Sequence, residues 1–228
     1  MSEKICQNCG QSEKPKRIDF HYVKHEVEHV LHFEKGILFT IKELLTRPGQ
    51  SIREFIFDDR NRLVKPIIFI IITSLIYTLI SRFFHIEDEH LKYTAMEKSA
   101  VFKILGWMMA NYGYMNILAG AFISIWLKVF FKKYDYNFFE LLIMLCFVMG
   151  ISMLIYAFFA IIEGISHIKV LHIAGIIGMI YLIWATGNFF EKKTVNYFKA
   201  LASYLLGMLT FLILTIAIGI TIDIITKH

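Results

Sequence analysis

The residues best suited to chemistry lie near the N-terminus, where His25-Glu26-Val27-Glu28-His29 matches the H-E-x-x-H pattern of zinc metalloproteases. On a helix the two histidines lie one turn apart and can bind one zinc ion, while Glu26 acts as general base for the zinc-bound water. This pattern predicts, as an alternative function, a zinc-dependent membrane-associated peptidase. The candidates for the third ligand that such a site requires are His32, Glu43 and Glu54.

A second metal hypothesis combines the cysteine pair with histidines. Cys6 and Cys9 are followed by His21 after eleven residues and by His25 after three more, which is close to the two-cysteine, two-histidine zinc pattern. The competing interpretation is a decayed half-ribbon with reduced cysteines, or zinc shared between two protomers. The candidate cofactor is zinc, and its candidate ligands are Cys6, Cys9, His21, His25 and His29.

These residues must be positioned by amphipathic helices that precede the apolar part of the chain. Residues 19–33 have apolar side chains at helical spacing, and histidines at 21, 25, 29 and 32 lie close to the opposite face. Gly36 to Thr46 reads as a second helix ended by Pro48 and Gly49, and Ser51 is the expected N-cap of a third helix through Phe57. We expect these helices to lie on the inner membrane surface or against the bundle.

Five uncharged apolar windows dominate the rest of the chain, which is 57% hydrophobic with a mean hydropathy of +0.56. They predict five membrane spans, at about 66–84, 107–131, 138–163, 168–190 and 198–224. The expected fold is an all-α polytopic transmembrane bundle preceded by cytoplasmic amphipathic helices. Three regions are expected: a partly disordered Cys-x-x-Cys knuckle at 1–18, amphipathic or interfacial helices at 19–63, and the membrane domain at 64–228.

The distribution of positive charge predicts the orientation in the membrane. Twelve of the 24 Lys and Arg residues precede the first span, and the later loops alternate between few and several lysines. By the positive-inside rule the N-terminus is cytoplasmic and the C-terminus lies outside, across a bacterial inner membrane. Residues 1–66 carry 12 Lys and Arg against 10 Asp and Glu, which is too little net charge for nucleic-acid binding and favours membrane lipid as a partner.

The polar residues within the predicted spans are uncharged, which disfavours a proton pump or an ion-coupled transporter. Uncharged polar side chains within a membrane commonly form hydrogen bonds between neighbouring helices. A substrate path, if the protein were a small-solute transporter, would be centred near Asn116 and His172. Glu140 is at the start of the third span, where a small shift would bury it.

The chain resembles a family of unknown function. Cys-Gln-Asn-Cys-Gly at 6–10 is followed by the His-rich helix, Lys35-Gly36, Arg47-Pro48-Gly49 and Ile52-Arg53-Glu54, and Lys65-Pro66 precedes the first span. This order is similar to the bacterial domain-of-unknown-function family numbered 3667, over about residues 5–70, with a further echo in Tyr136 to Glu140. The resemblance implies an integral membrane protein, often with a zinc-ribbon-like N-terminus. This chain has one of the two knuckles found in a complete ribbon.

These observations favour a non-enzymatic function. The expected protein is a membrane scaffold or accessory factor with a cytoplasmic metal knuckle, whose cytoplasmic segment engages lipid or a protein partner and which is a candidate homo-oligomer. The peptidase that uses Glu26 is the alternative, and a small-solute transporter is the third hypothesis.

Overall fold

The computed structural model describes residues 36–86 and 99–226 of the 228-residue chain. Within these two ranges the chain is all-α, with one short 3-10 turn at Lys132–Tyr134 and no strand. This confirms the predicted fold class. The helices are α1 (Ile37–Thr46), α2 (Pro48–Phe57), α3 (Pro66–Phe83), α4 (Ala100–Ala110), α5 (Tyr112–Phe130), α6 (Phe138–Ser166), α7 (Leu171–Phe190) and α8 (Thr194–Thr226).

Five of these helices, α3 and α5 to α8, are long and apolar enough to cross a membrane, which is the number predicted. The bundle is arranged around α6, which packs against α3, α5 and α7. α6 is also the most buried of the five, because its middle turns are apolar on every face and Phe147 and Met144 are fully enclosed. α8 packs against α5 and α7, so that each long helix contacts at least two others.

The second apolar window does not form one helix. The chain leaves helical geometry at Asn111, where φ is −132° and ψ is 54°, so that α4 and α5 are separate helices. The Asn111 side chain donates to the Trp107 carbonyl at 2.8 Å and satisfies an acceptor that the break would leave without a partner. α4 is held by α8, since Asp223 accepts hydrogen bonds from the Ser99 hydroxyl at 2.5 Å and from the Ala100 nitrogen at 2.7 Å.

The predicted start of the helix that follows Thr46 is wrong by one turn. Pro48 begins α2, because a proline at the first helical position lacks only an N–H that would have no intrahelical acceptor. Ser51 therefore lies inside α2 rather than at its N-cap, and its hydroxyl is buried. α2 packs against α7 and α6, which places the helix on the bundle. Residues 36–65, comprising α1, α2 and the following loop, are called the platform below.

Candidate functional site

The platform is organised around one buried carboxylate. Glu43 of α1 is only 7% exposed, and its two oxygens accept hydrogen bonds from the Arg47 guanidinium at 3.0 and 3.1 Å. The Ser51 hydroxyl donates to the same carboxylate at 3.0 Å, and Arg62 donates to it at 2.8 Å. Residues from α1, α2 and the loop therefore meet at a single group.

The electrostatics of Glu43 follow from these contacts. Burial acts to raise the pKa of Glu43, but the hydrogen bonds from Arg47 and Ser51 and the charges of Arg47 and Arg62 outweigh it, so that the pKa lies below the ordinary value. Arg62 also forms an ion pair with Glu54. The cluster is thus closed, since each carboxylate is paired with at least one guanidinium.

The platform is fastened to the end of α7. The Arg53 guanidinium donates to the carbonyls of Asn188 and Phe189 at 2.7 and 2.6 Å, where the last turn of a helix leaves carbonyls without intrahelical donors. Gly49 lies so close to this turn that a Cβ atom would lie against the Asn188 backbone and 2.7 Å from the Phe189 nitrogen. Gly49 and Arg53 therefore dock the platform on α7, a function that their spacing in the sequence does not reveal.

A cavity of about 410 Å³ lies within the bundle, toward the end opposite the platform, where α5 and α7 begin. All five long helices contribute to its lining, and its volume falls in the range of small-molecule sites. Its walls consist mainly of aromatic rings and thioethers. The tyrosines are Tyr77, Tyr112, Tyr156 and Tyr204, and the methionines are Met115, Met149, Met153, Met179 and Met208.

The polar groups of the cavity are neutral. Asn116 donates from its amide to the Ser74 hydroxyl at 3.3 Å, and Ser152 donates to the Val148 carbonyl at 3.2 Å. Within the described ranges, the hydroxyls of Tyr156 and Tyr204 make no hydrogen bond. No Asp, Glu, Lys, Arg or His from the described part of the chain belongs to the lining. The cavity can therefore offer hydrogen bonds and ring faces, but no charge.

Among the residues singled out from the sequence, Asn116 lines the cavity, whereas His172 is exposed and does not. Glu140 is fully buried, and it forms a capping box with Asn137 at the start of α6, which is a structural role. Glu43 and Glu54, two candidates for the third zinc ligand, form ion pairs with arginines.

The remaining candidates for catalysis and metal binding lie outside the described residues. In residues 36–86 and 99–226, no group of three or more His, Cys, Asp or Glu side chains could hold a metal ion. The zinc hypotheses thus stay predictions. The residues concerned are Cys6, Cys9, His21, His25, Glu26, His29 and His32.

Sequence reasoning missed the cavity, although a signal was present. Met149, Ser152, Met153 and Tyr156 follow one another at spacings of three, one and three, which places them on one face of α6. In an apolar helix, a face of flexible or partly polar side chains packs less tightly against its neighbours than a face of Leu and Val does. This face predicts a looser region of packing, though not the helices that enclose it.

Comparison with curated proteins and with solved structures finds no match. The model of one protein family does match, over residues 34–78, which comprise the platform and most of α3. Tyr77 is the one cavity-lining residue within that segment, so the match concerns mainly the docking end of the molecule. The resemblance found in the sequence is confirmed for this segment, whose family is described as "Protein of unknown function (DUF3667)".

Proposed function

We propose that this protein is a non-enzymatic, multi-pass membrane protein that binds a small uncharged molecule in its intramembrane cavity. The observation that carries the proposal is the cavity itself, about 410 Å³ in volume and lined by all five long helices. Mostly apolar walls with a few convergent polar groups are typical of small-molecule sites. The platform supports the bundle by fixing the C-terminal end of α7. Other residues of α7 contribute to the cavity wall.

The test is to fill the cavity without disturbing its surroundings. A Cβ atom at Gly178 would make ordinary contacts, 3.7 Å from the Tyr156 ring and 3.8 Å from Ser152, so the larger side chain of Gly178→Val enters the cavity. Gly113→Val is the matched control, because Gly113 has equally ordinary surroundings and does not line the cavity. Mass spectrometry of the detergent-purified proteins should detect a retained small molecule in the wild type and the control, and not in Gly178→Val. Equal content in all three proteins would contradict the proposal.

The scaffold function predicted from the sequence is the second candidate. It is favoured by the exposed apolar side chains of α1, where Leu38 is 78% exposed and Phe39 and Leu45 are about half exposed. An apolar surface beside an ion cluster suits a membrane interface or a protein partner. Crosslinking from Leu38 in intact membranes would distinguish lipid adducts from a protein adduct, including one with a second copy of the chain. The absence of both would argue against this candidate.

We propose that the platform faces the cytoplasm of a bacterial cell and that the C-terminus lies outside the inner membrane. The proposal is supported by the position of the lysine-rich loops, since the segments after α5 and after α7 lie at the platform end, where Phe131 stacks on Phe190 at 3.7 Å. Labelling of single cysteines with a membrane-impermeant maleimide tests it, in a background with the native cysteines replaced. Lys169→Cys should react in intact cells, and Lys192→Cys only after lysis, because both residues are exposed at opposite ends of α7. The reverse pattern would invert the topology.

A further inference from the structure

We propose that the molecule bound in the cavity is an uncharged, planar compound with carbonyl oxygens, of the chemical class of quinones. This inference rests on the proposed function, since it assigns a ligand class to the same cavity. It is argued from three properties of the lining: the absence of charge, the arrangement of the aromatic rings, and the surplus of hydrogen-bond donors.

The absence of charge excludes ionic ligands on energetic grounds. Among residues 36–86 and 99–226, those that line the cavity include no carboxylate, guanidinium, ammonium or imidazole group. An ion transferred into such surroundings would lose its hydration without gaining a counter-charge, which is far more costly than for a neutral molecule. A neutral, lipid-soluble compound meets no such penalty.

The ring arrangement favours a flat ligand. Tyr77 packs edge-to-face against Tyr112 and against Tyr156, with ring centroids 5.1 and 5.8 Å apart and interplanar angles of 71° and 65°. The cavity is thereby bordered by both faces and edges of aromatic rings, which contact a planar ring favourably. Gly175 allows the Tyr156 hydroxyl to lie close to the backbone of α7, since a Cβ atom there would be only 3.1 Å from that hydroxyl. The methionines can adjust to the outline of such a ring.

The hydrogen-bonding groups of the lining favour a ligand that accepts hydrogen bonds. The Ser152 hydroxyl donates to Val148, and one Asn116 N–H is committed to Ser74. The hydroxyls of Tyr156 and Tyr204 have no acceptor among the described residues, and both residues line the cavity. Neither hydroxyl oxygen is among the buried side-chain atoms that lack a partner in the described ranges, so both are open to the cavity and can donate to a ligand carbonyl there. Two donors suit a ring that has two carbonyl oxygens.

The experiment compares two probes of the same shape in equilibrium dialysis with the full-length, detergent-purified protein. Duroquinone has four methyl groups and two carbonyl oxygens, and its ring has no open position for thiol addition. Durene has the four methyl groups without the oxygens. The wild type should bind duroquinone about 10-fold more tightly than durene, since each added hydrogen bond contributes roughly 3- to 10-fold.

Substitutions identify the donors. Tyr156→Phe and Tyr204→Phe should each weaken duroquinone binding about 3- to 10-fold and leave durene binding unchanged, because only a hydroxyl is removed. Tyr114→Phe is the matched control, since Tyr114 is 63% exposed and does not line the cavity. Unchanged durene binding shows that each variant retains its folded cavity.

The outcomes separate this inference from the proposed function. Equal affinity for the two probes, or full duroquinone affinity in the double variant Tyr156→Phe/Tyr204→Phe, would overturn the ligand class. If both probes nevertheless lost binding in Gly178→Val, the cavity would remain the binding site. Failure of the wild type to bind either probe would overturn the ligand class, and the small-molecule content of Gly178→Val would then decide the proposed function by itself.

Discussion

The platform and the cavity both place polar side chains away from water, and they do so by different means. In the platform, the Glu43 carboxylate is paired with Arg47 and Arg62 and also accepts from Ser51, so that its hydrogen-bonding capacity is filled within the protein. In the cavity, the polar groups are neutral, and the hydroxyls of Tyr156 and Tyr204 make no hydrogen bond to described residues.

The difference separates a structural cluster from a binding site. A closed set of ion pairs gains nothing from a further partner and loses much when one member is removed. An open set of neutral groups has spare bonding capacity, which a ligand can use. On this comparison, substitutions in the platform should reduce stability, whereas substitutions in the cavity should alter binding.

The largest effect is expected from Glu43→Ala. Loss of one member of a buried ion pair costs about 3–5 kcal/mol, and partial exposure of Arg47 and Arg62 reduces our expectation to about 2–3 kcal/mol. Glu191→Ala, at a more exposed ion pair with Lys193, should have a much smaller effect on stability because water screens that pair. Reversible unfolding in mixed micelles, followed by circular dichroism, measures both. Equal losses would remove the distinction between the two kinds of ion pair.

A somewhat smaller loss is expected from Gly49→Ala. The new methyl group would collide with the backbone at the end of α7, and overpacking of this kind costs about 1–3 kcal/mol. Gly36→Ala is the matched control, because its nearest neighbour is the Phe39 nitrogen at 4.0 Å. The same unfolding measurement applies. If Gly49→Ala were as stable as the wild type, the platform would be able to move away from α7.

The pH dependence of stability should identify Glu43 as a charged group. Because its pKa is lower in the folded protein than the ordinary value of 4.5, its stabilising contribution is complete above that value and declines as the pH falls below it. Unfolding midpoints of the wild type and Glu43→Gln should therefore differ by a constant amount above about pH 6, and this difference should shrink as the pH falls below 4.5. A difference that persists at low pH would assign the effect to packing.

The smallest effect on either region is expected from the N-terminal cysteines. Elemental analysis of the purified protein should detect about one zinc per chain, lost in Cys6→Ser/Cys9→Ser, if the knuckle is a metal site. Cys6 and Cys9 precede the platform in the sequence, and we expect the unfolding midpoint of the bundle to be unchanged. Zinc lost only in His25→Ala/His29→Ala would favour the peptidase instead. A wild type without zinc would refute both metal hypotheses.

The sequence predicted the helices of the bundle because length and hydropathy are local properties. Asn137 and Glu140 lie at the start of α6, where they form a capping box that was not predicted from the sequence. The break at Asn111 was not predictable in this way, since apolar residues continue on both sides of it. The break coincides with tertiary contacts of α4, which packs on α8 where Gly219 lies beside Val101 and Asp223 caps its first turn.

The site was less accessible to prediction than the fold. Asn116 and His172 were selected because they are polar residues in apolar windows, but only Asn116 lines the cavity. The direction of a side chain in a helix that is apolar on all faces depends on which neighbours surround it, and hydropathy does not encode this. Tyr and Met form most of the lining, and because they are also common in ordinary cores, the face of α6 that they mark indicates loose packing and not a binding site.

The break at Asn111 also determines how the molecule fits a lipid layer. An unbroken helix over residues 100–130 would be about 46 Å long, whereas α5 alone is about 29 Å, close to the hydrocarbon thickness of about 30 Å. α3 and α7 have nearly the same length, at about 27 and 30 Å. α4 is then left beside the end of α8 with Trp107 half exposed, as expected for a segment at a lipid–water boundary. The break at Asn111 thus gives α5 a length close to those of α3 and α7, whereas the unbroken α6 and α8, at about 44 and 50 Å, are longer than the hydrocarbon layer is thick.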